Sequence, residues 1–298
     1  GFCMKFDVKV LLVFLSLVFM APELTAQDSG EKTNTKQKKK RKKKYKLPEI
    51  DLSHWKVTIP AGDPAEVEPP EILDYATNET LKKYMYNDSV RGTLVFYAEP
   101  AATTANTKYS RSELREQMEP GNNNLNWTFK QGGKMKGRLV MGNVTKGKDG
   151  KYHKVMIMQI HGRLTNEQRD LIGQKDNNAP PILKIYWDNG KVRVKTKQLK
   201  DLSMSDTDIL RTGSWKDDEG FNFDEKVEFR PFSLEVKVSE GKLVVGLNNS
   251  EYKVYDDVHI EKWGVFENYF KAGNYFQTRD EGAHAEVKYF ELEVSHKD

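Results

Sequence analysis

The sequence predicts an all-β protein, a jelly-roll β-sandwich of two antiparallel sheets with a concave groove, and three observations carry that expectation. From Leu47 onward, short stretches rich in Val, Ile, Phe, Tyr and Thr alternate with turns rich in Gly, Asn and Asp, the pattern of many short strands. Two turns have hairpin chemistry: Asp188-Asn189-Gly190 before Lys191, and Ser239-Glu240-Gly241 before Lys242. Helical periodicity is confined to two short segments, and strands in this number fit two packed sheets.

In chain order, Met4 is followed by Lys5 and Lys9, an apolar run from Val10 to Ala21, then Pro22 and Leu24-Thr25-Ala26 before Gln27. A basic front, an apolar stretch too short to span a bilayer comfortably and a small residue at its exit read as a signal peptide over residues 1–26, with Gly1-Phe2-Cys3 ahead of the expected initiator. Secretion, outside the cell or into a periplasm, follows from that reading; an uncleaved anchor is the alternative. Cys3 is the only cysteine, so a chain cleaved after Ala26 has no disulfide and no thiolate metal site.

Residues 27–46 are polar and end in Lys36-Gln37-Lys38-Lys39-Lys40-Arg41-Lys42-Lys43-Lys44-Tyr45-Lys46. Like charges this dense repel and stay solvated, which predicts a disordered linker. It suits contact with an anionic polymer or a cell surface, and equally a role as spacer. Twelve basic residues against four acids put +8 on residues 1–46, leaving −4 on the other 252 of a chain whose formal balance is +4. Residues 47–298 read as one domain. Its share of the chain's 14 Phe, 13 Tyr and 5 Trp excludes disorder throughout, and the lack of long apolar runs excludes a multi-span membrane protein.

Within that domain, 71–84 is expected to supply a short helix. Strands are expected at 93–99, 110–118, 134–144, 155–162, 182–187, 191–197, 232–238, 242–247, 269–278 and 285–294. A second helical stretch, 166–172, sits in a loop of about twenty residues after Gly162, and loops that long are usually functional or disordered.

Three strands carry polar residues at even spacing, and side chains two apart share a sheet face. In 110–118 these are Arg111, Glu113, Arg115 and Gln117, with Ser112, Leu114 and Met118 opposite. In 155–162, Gln159 and His161 share a face with Val155 and Ile157, opposite Met156, Met158 and Ile160. In 269–278 the shared face holds Tyr269, Lys271, Gly273, Tyr275 and Gln277. Taken one strand at a time, each has an ordinary explanation: a cross-strand ion pair, a hydrogen-bonded histidine, a core tyrosine with a wet hydroxyl.

Taken together, they resemble a known family, the alginate lyases of polysaccharide lyase family seven. Its three signature segments appear in order as Arg111-Ser112-Glu113-Leu114-Arg115-Glu116, Gln159-Ile160-His161 and Tyr269-Phe270-Lys271-Ala272-Gly273-Asn274-Tyr275-Phe276-Gln277. Leu52-Ser53-His54-Trp55-Lys56-Val57-Thr58-Ile59-Pro60 is similar to the segment that opens the family's domain. The resemblance spans about residues 50–295. Asn274 and Phe276 depart from the family's usual small apolar residue and Asn, which bears on subsite preference, since Lys271 and Tyr275 stay in place.

The resemblance implies an enzyme that cleaves alginate, a 1,4-linked uronate polymer, by β-elimination without a metal or other cofactor, leaving unsaturated uronate ends. By resemblance, Arg111 and Gln159 bind the substrate carboxylate. His161, with an ordinary pKa of about 6.5, is the base near neutral pH. Tyr275 is the acid, and for one C5 epimer both base and acid; a base role calls for a lowered pKa, which Lys271, Arg115 and Arg111 would provide. Glu113 is expected to orient Arg111 and Arg115, with Arg115, Lys271, Tyr269 and Gln277 completing the substrate-binding set. The expected partner is alginate, with no nucleic acid, and the expected state is a monomer. Ile160 leans toward guluronate-containing or mixed blocks in the family, and the loops at 162–181 and 197–226 govern endo against exo action.

Three other readings compete. A β-sandwich glycoside hydrolase needs paired acids two apart; Glu49-Ile50-Asp51-Leu52-Ser53-His54 starts that way but ends in His54. A non-catalytic lectin-type sandwich needs polar and aromatic residues on one face but no such Arg, Gln, His and Tyr set. A polyanion-binding surface protein would keep its activity in residues 32–46. The six histidines are scattered without metal-ligand spacing, and no nucleotide-binding glycine loop or serine-nucleophile motif appears.

Overall fold

The computed structural model describes residues 46–297; the expected signal segment and all but the last residue of the expected linker lie outside the described residues. The chain begins with strands β1 (Glu49–Ile50), β2 (Trp55–Ile59) and β3 (Ala65–Val67), then β4 (Met85–Asp88), β5 (Thr93–Ala98), β6 (Arg111–Glu116), β7 (Trp127–Thr128) and β8 (Gly133–Val144). Next come β9 (Val155–Arg163), helix α1 (Asn166–Leu171), β10 (Asn178–Asp188), β11 (Lys191–Leu199), β12 (Trp215–Asp217) and β13 (Phe221–Lys226). The last elements are β14 (Phe232–Ser239), β15 (Lys242–Leu247), β16 (Glu251–Tyr255), helix α2 (Val258–Lys262), β17 (Glu267–Phe276) and β18 (Ala285–Ser295).

These strands form the two expected sheets. One has eight strands in the order β16-β15-β14-β8-β18-β5-β4, with β1 beside β18. The other has ten, in the order β12-β11-β10-β9-β17-β6-β2-β3, with β13 beside β11 and β7 beside β17. The long pairs are antiparallel, as for β17 with β6 and β9; two-residue β1 pairs in parallel with β18. A single apolar cluster fills the sandwich: Leu114, Ile160, Phe270 and Ala272 from the ten-stranded sheet, and Phe96, Met135, Leu139 and Leu234 from the other, are fully buried. Removing each large side chain from water contributes about 1.5–3 kcal/mol. Tyr289 on β18 is also buried, and its hydroxyl donates to the Ile157 carbonyl on β9 at 2.5 Å, so its polar end is satisfied while it ties the sheets together.

All ten expected strands are present. The strands β1–β4, β7, β12, β13 and β16 are additional; all but β13 have five residues or fewer, too brief for alternation to show clearly. Three expectations need correction. Over 71–84 only Glu71–Asp74 forms a turn of 3-10 helix. Beyond it, Asn78 Oδ1 accepts from the backbone N–H groups of Thr80 and Leu81, and such local bonds compete with a helix. The loop after Gly162 is shorter than expected, because β10 begins at Asn178 and runs through Pro180 and Pro181, accommodated by register shifts against β9.

The third correction concerns β9. Ile185 and Tyr186 are consecutive on β10 but face Met158 and Met156, so Ile157 is an extra residue. Ile157 and Val155 therefore join the core cluster with Met158, and Met156 pairs with Tyr186 and Tyr275 on the groove side. The expected helix at 166–172 forms as α1, opened at its N-terminus by a capping box between Thr165 and Gln168, and the expected Asn189-Gly190 hairpin has both residues at positive φ.

Candidate active site

The three polar strands are neighbours at the centre of the ten-stranded sheet, in the order β9-β17-β6. Their register aligns what the sequence scatters. Lys271 lies between Gln159 and Arg115, Tyr269 faces His161, Gly273 faces Glu113, and Tyr275 faces Arg111. Directly opposed residues share a face, so the row through Lys271 continues to Lys184 on β10 and Lys56 on β2. A cleft of about 300 Å³ opens on this face, lined by Arg111, Arg115, His161, Tyr269 and Lys271, and also by Lys56, Glu66, Asn178 and residues 104–107.

Glu113 is the hub beneath the cleft. Only 1% exposed, it accepts from Gln159 Nε2 at 2.5 Å and is ion-paired to Lys271 Nζ at 2.5 Å, with Arg111 at 3.8 Å. The expectation that it orients Arg115 is corrected. Arg115 donates instead to the Glu116 carbonyl (2.7 Å), the Asn123 carbonyl (3.0 Å) and Asn126 Oδ1 (2.9 Å), and its guanidinium lies 4.1 Å from the Tyr269 ring centre. Arg111 donates to Thr104 Oγ1 at 3.3 Å, while its buried Nε has no partner among the described residues. A buried donor left unspent is uncommon and marks a site with unfulfilled binding capacity.

His161 is held in one tautomer. Its Nδ1 lies 2.9 Å from the Gly162 carbonyl, which can only accept, so Nδ1 carries the proton and Nε2 keeps a lone pair. The ring stacks on Tyr269 at 5.3 Å and 12°. Burial, and then the charges of Lys271, Arg111 and Arg115, push its pKa down to about 3, so it is neutral across the physiological range rather than titrating near 6.5.

Lys271 is pushed down to about 8, by burial first and by Arg111 next, with Glu113 pulling the other way. Tyr275 runs counter to expectation. Burial raises its pKa despite the lowering effects of the Lys108 and Tyr109 amides and of Arg111, so it is a neutral phenol suited to giving a proton. Its oxygen accepts from the Lys108 N–H at 3.2 Å, and its ring lies 5.9 Å from the Arg111 guanidinium.

Of the nine residues singled out by sequence, the structure gathers eight. Gln277 falls just past the end of β17, with its amide turned back onto the Tyr275 carbonyl at 3.0 Å. Sequence reasoning missed Lys56, ion-paired to Glu66 at 2.7 Å, and the segment around Thr104, Asn106 and Lys108. Asn106 donates to Asp176 Oδ2 at 3.1 Å, linking that segment to the turn before β10. For Lys56 a signal existed in the segment 52–60; for the others, no periodic pattern marks them.

A family model described as alginate lyase matches residues 50–296. Among solved structures, a His-to-Asn, Tyr-to-Phe double variant of family 7 alginate lyase A1-II′ in complex with substrate is 29% identical, with a TM-score of 0.65 over 83% of this chain and 94% of that one. The Tyr-to-Phe variant of the same enzyme with product is also 29% identical, with a TM-score of 0.65 over 83% and 97%. An alginate lyase from Pseudomonas aeruginosa, 22% identical with a TM-score of 0.61 over 83% and 100%, shares the fold. Curated protein sequences give no match.

Proposed function

The chain belongs to the alginate lyase family, whose model covers its residues 50–296, and from that premise we propose that it depolymerises alginate by β-elimination at the centre of the ten-stranded sheet. The C5 proton of a uronate is barely acidic while the adjacent carboxylate keeps its charge, because the intermediate would carry two negative charges. Neutralising that carboxylate comes first, and preorganised donors do it at little reorganisation cost. Arg111 and Gln159 bind it, within the positive potential of Lys271 and Arg115.

His161 Nε2 then takes the C5 proton. The electrons of that bond form the C4–C5 double bond, the C4–O bond breaks with its pair, and Tyr275 protonates the departing oxygen. For the epimer whose C5 proton lies toward Tyr275, that residue performs both transfers, and its raised pKa makes this the more demanding route. One observation carries the reading: the Gly162 carbonyl fixes His161 with a free Nε2, which burial, and then three neighbouring cations, keep unprotonated. The relative solved with substrate after replacement of a His and a Tyr supports giving both proton transfers to this pair.

Secretion through residues 1–26 and a salt-sensitive second grip on the polyanion by residues 27–46 complete the proposal, with the domain acting as a monomer. Incubation with alginate, followed by ultraviolet absorbance of the unsaturated product, is the test. No absorbance rise at any salt or pH refutes the lyase reading, and binding without cleavage favours the lectin-type one. His161→Asn and Tyr275→Phe should each lose about 10²–10⁴-fold in turnover while binding persists. Unchanged apparent affinity at low salt after deletion of residues 27–46 returns the lysine run to a spacer.

A further inference from the structure

One charged group beside the site has no part in the scheme above. Arg279, an exposed residue just beyond β17, donates twice to the Lys108 carbonyl, from Nε at 3.1 Å and from NH2 at 2.9 Å. Its guanidinium also lies 5.9 Å from the Tyr109 ring centre. The Lys108 N–H donates to the Tyr275 phenol oxygen at 3.2 Å, and the Tyr109 N–H also faces that oxygen. The Lys108 carbonyl and the Tyr109 N–H belong to one peptide unit. A cation on its oxygen polarises the N–H at its other end, as a chain of hydrogen bonds polarises its members.

We infer that Arg279 is a positioning residue that holds the backbone at Lys108 and Tyr109 as an oxyanion nest for Tyr275, stabilising the phenolate that forms when this residue gives its proton to the departing C4 oxygen. The inference rests on Tyr275 being the acid of the elimination. That step leaves a full negative charge on a largely buried oxygen, and donors oriented beforehand lower its cost more than donors that must reorganise. The other charged or titratable side chains facing Tyr275 are Arg111 and Glu113 from β6, Tyr186 from β10 and Tyr109, whose ring centre lies 6.3 Å from that of Tyr275. None of them is hydrogen-bonded to the phenol oxygen, so the Arg279-held backbone is its direct partner.

Initial rates on alginate across pH for Arg279→Gln and Arg279→Lys test this in the full chain. Arg279→Gln should lower kcat about tenfold with KM within about twofold, and move the alkaline limb of kcat upward, because a phenol without its nest ionises less readily. Arg279→Lys, which still presents a cation to the carbonyl, should recover part of the loss. In a Tyr275→Phe background, Arg279→Gln should add no further loss. The inference is overturned by unchanged kcat, by a change in KM alone, or by an equal loss in the Tyr275→Phe background. Normal turnover by Tyr275→Phe itself would overturn the acid assignment first and leave the nest no proton to serve. Unfolding midpoints of the variants separate these effects from a loss of fold.

Discussion

Gly273 stands directly opposite Glu113 in the ladder between β17 and β6, and a Cβ placed on it would meet the Ser112 carbonyl oxygen at 2.7 Å and the Glu113 Cα at 2.9 Å. Its φ of +137° is also one that side-chain-bearing residues rarely adopt. The missing side chain is what lets the two strands close around a buried carboxylate. Gly273→Ala combines backbone strain with a clash that no rotamer relieves, and should cost about 2–4 kcal/mol. For a domain of this size that is a fall of about 5–15 °C in thermal midpoint, together with loss of turnover. A midpoint within a degree of the parent would show that the strands can part without cost.

Glu113 is the anion for which Lys271 and Gln159 compete, and its charge keeps Lys271 protonated against burial. Glu113→Gln preserves the shape but removes the charge. The pKa of Lys271, already near 8, then falls further, and the cleft loses a cation at neutral pH. We expect kcat/KM to drop about 100-fold, with its alkaline limb moving below pH 8. Lys271→Arg, which cannot lose its charge in this range, should move the same limb above pH 8. Limbs that stay put in both variants would assign the alkaline limb to another group.

His161 gives a prediction of opposite sign to the usual one for a histidine base. Burial and the three neighbouring cations hold its pKa at about 3, so the base form is fully populated from about pH 4 upward. At saturating alginate, kcat should therefore show no acid limb centred between pH 6 and 7. An acid limb near 6.5 that disappears in an otherwise active His161 variant would mean the imidazole is solvated and less crowded by charge.

The strands of the site were legible because polar residues recur at every second position along β6 and, despite a register shift against β9 between Ala272 and Tyr275, along β17. Arg111, Glu113 and Arg115 on one strand and Lys271 and Tyr275 on the other could be placed on a common face by parity alone. The partner of each was not legible, since whether Glu113 holds Arg115 or Lys271 depends on the register between strands far apart in sequence. Parity also failed where the backbone breaks it, as Ile157 does by bulging and turning Met156 to the groove. Lys108 and Arg279 were invisible because they act through backbone groups of a segment without period. That burial lowers the pKa of His161 along with the cations, yet raises that of Tyr275 against Arg111, required knowing how deep each lies, which composition does not report.

Outside the cleft, His296 and Glu116 form a partly buried link between the segment after β18 and β6. The two ring nitrogens of His296 both face acceptors, Nδ1 the Gly132 carbonyl at 3.0 Å and Nε2 the Glu116 carboxylate, so the geometry calls for the doubly protonated ring. Burial opposes that charge, but the Glu116 carboxylate and the Gly132 carbonyl outweigh it and raise the pKa above 6.5. Glu116 in turn accepts from Trp127 Nε1 and from the Phe270 N–H, both at 2.9 Å, and so fixes the strand that carries Lys271. A pKa raised on folding gives stability that is complete below about 6.5 and disappears as the pH rises through the raised value. His296→Ala should therefore be less stable than the parent by about 1–3 kcal/mol at pH 6, with the gap narrowing toward pH 9. Changes elsewhere on the molecule affect both chains alike, so the difference between their denaturant midpoints isolates this link. A gap that stayed constant or widened with pH would mean that His296 is bound in its neutral form.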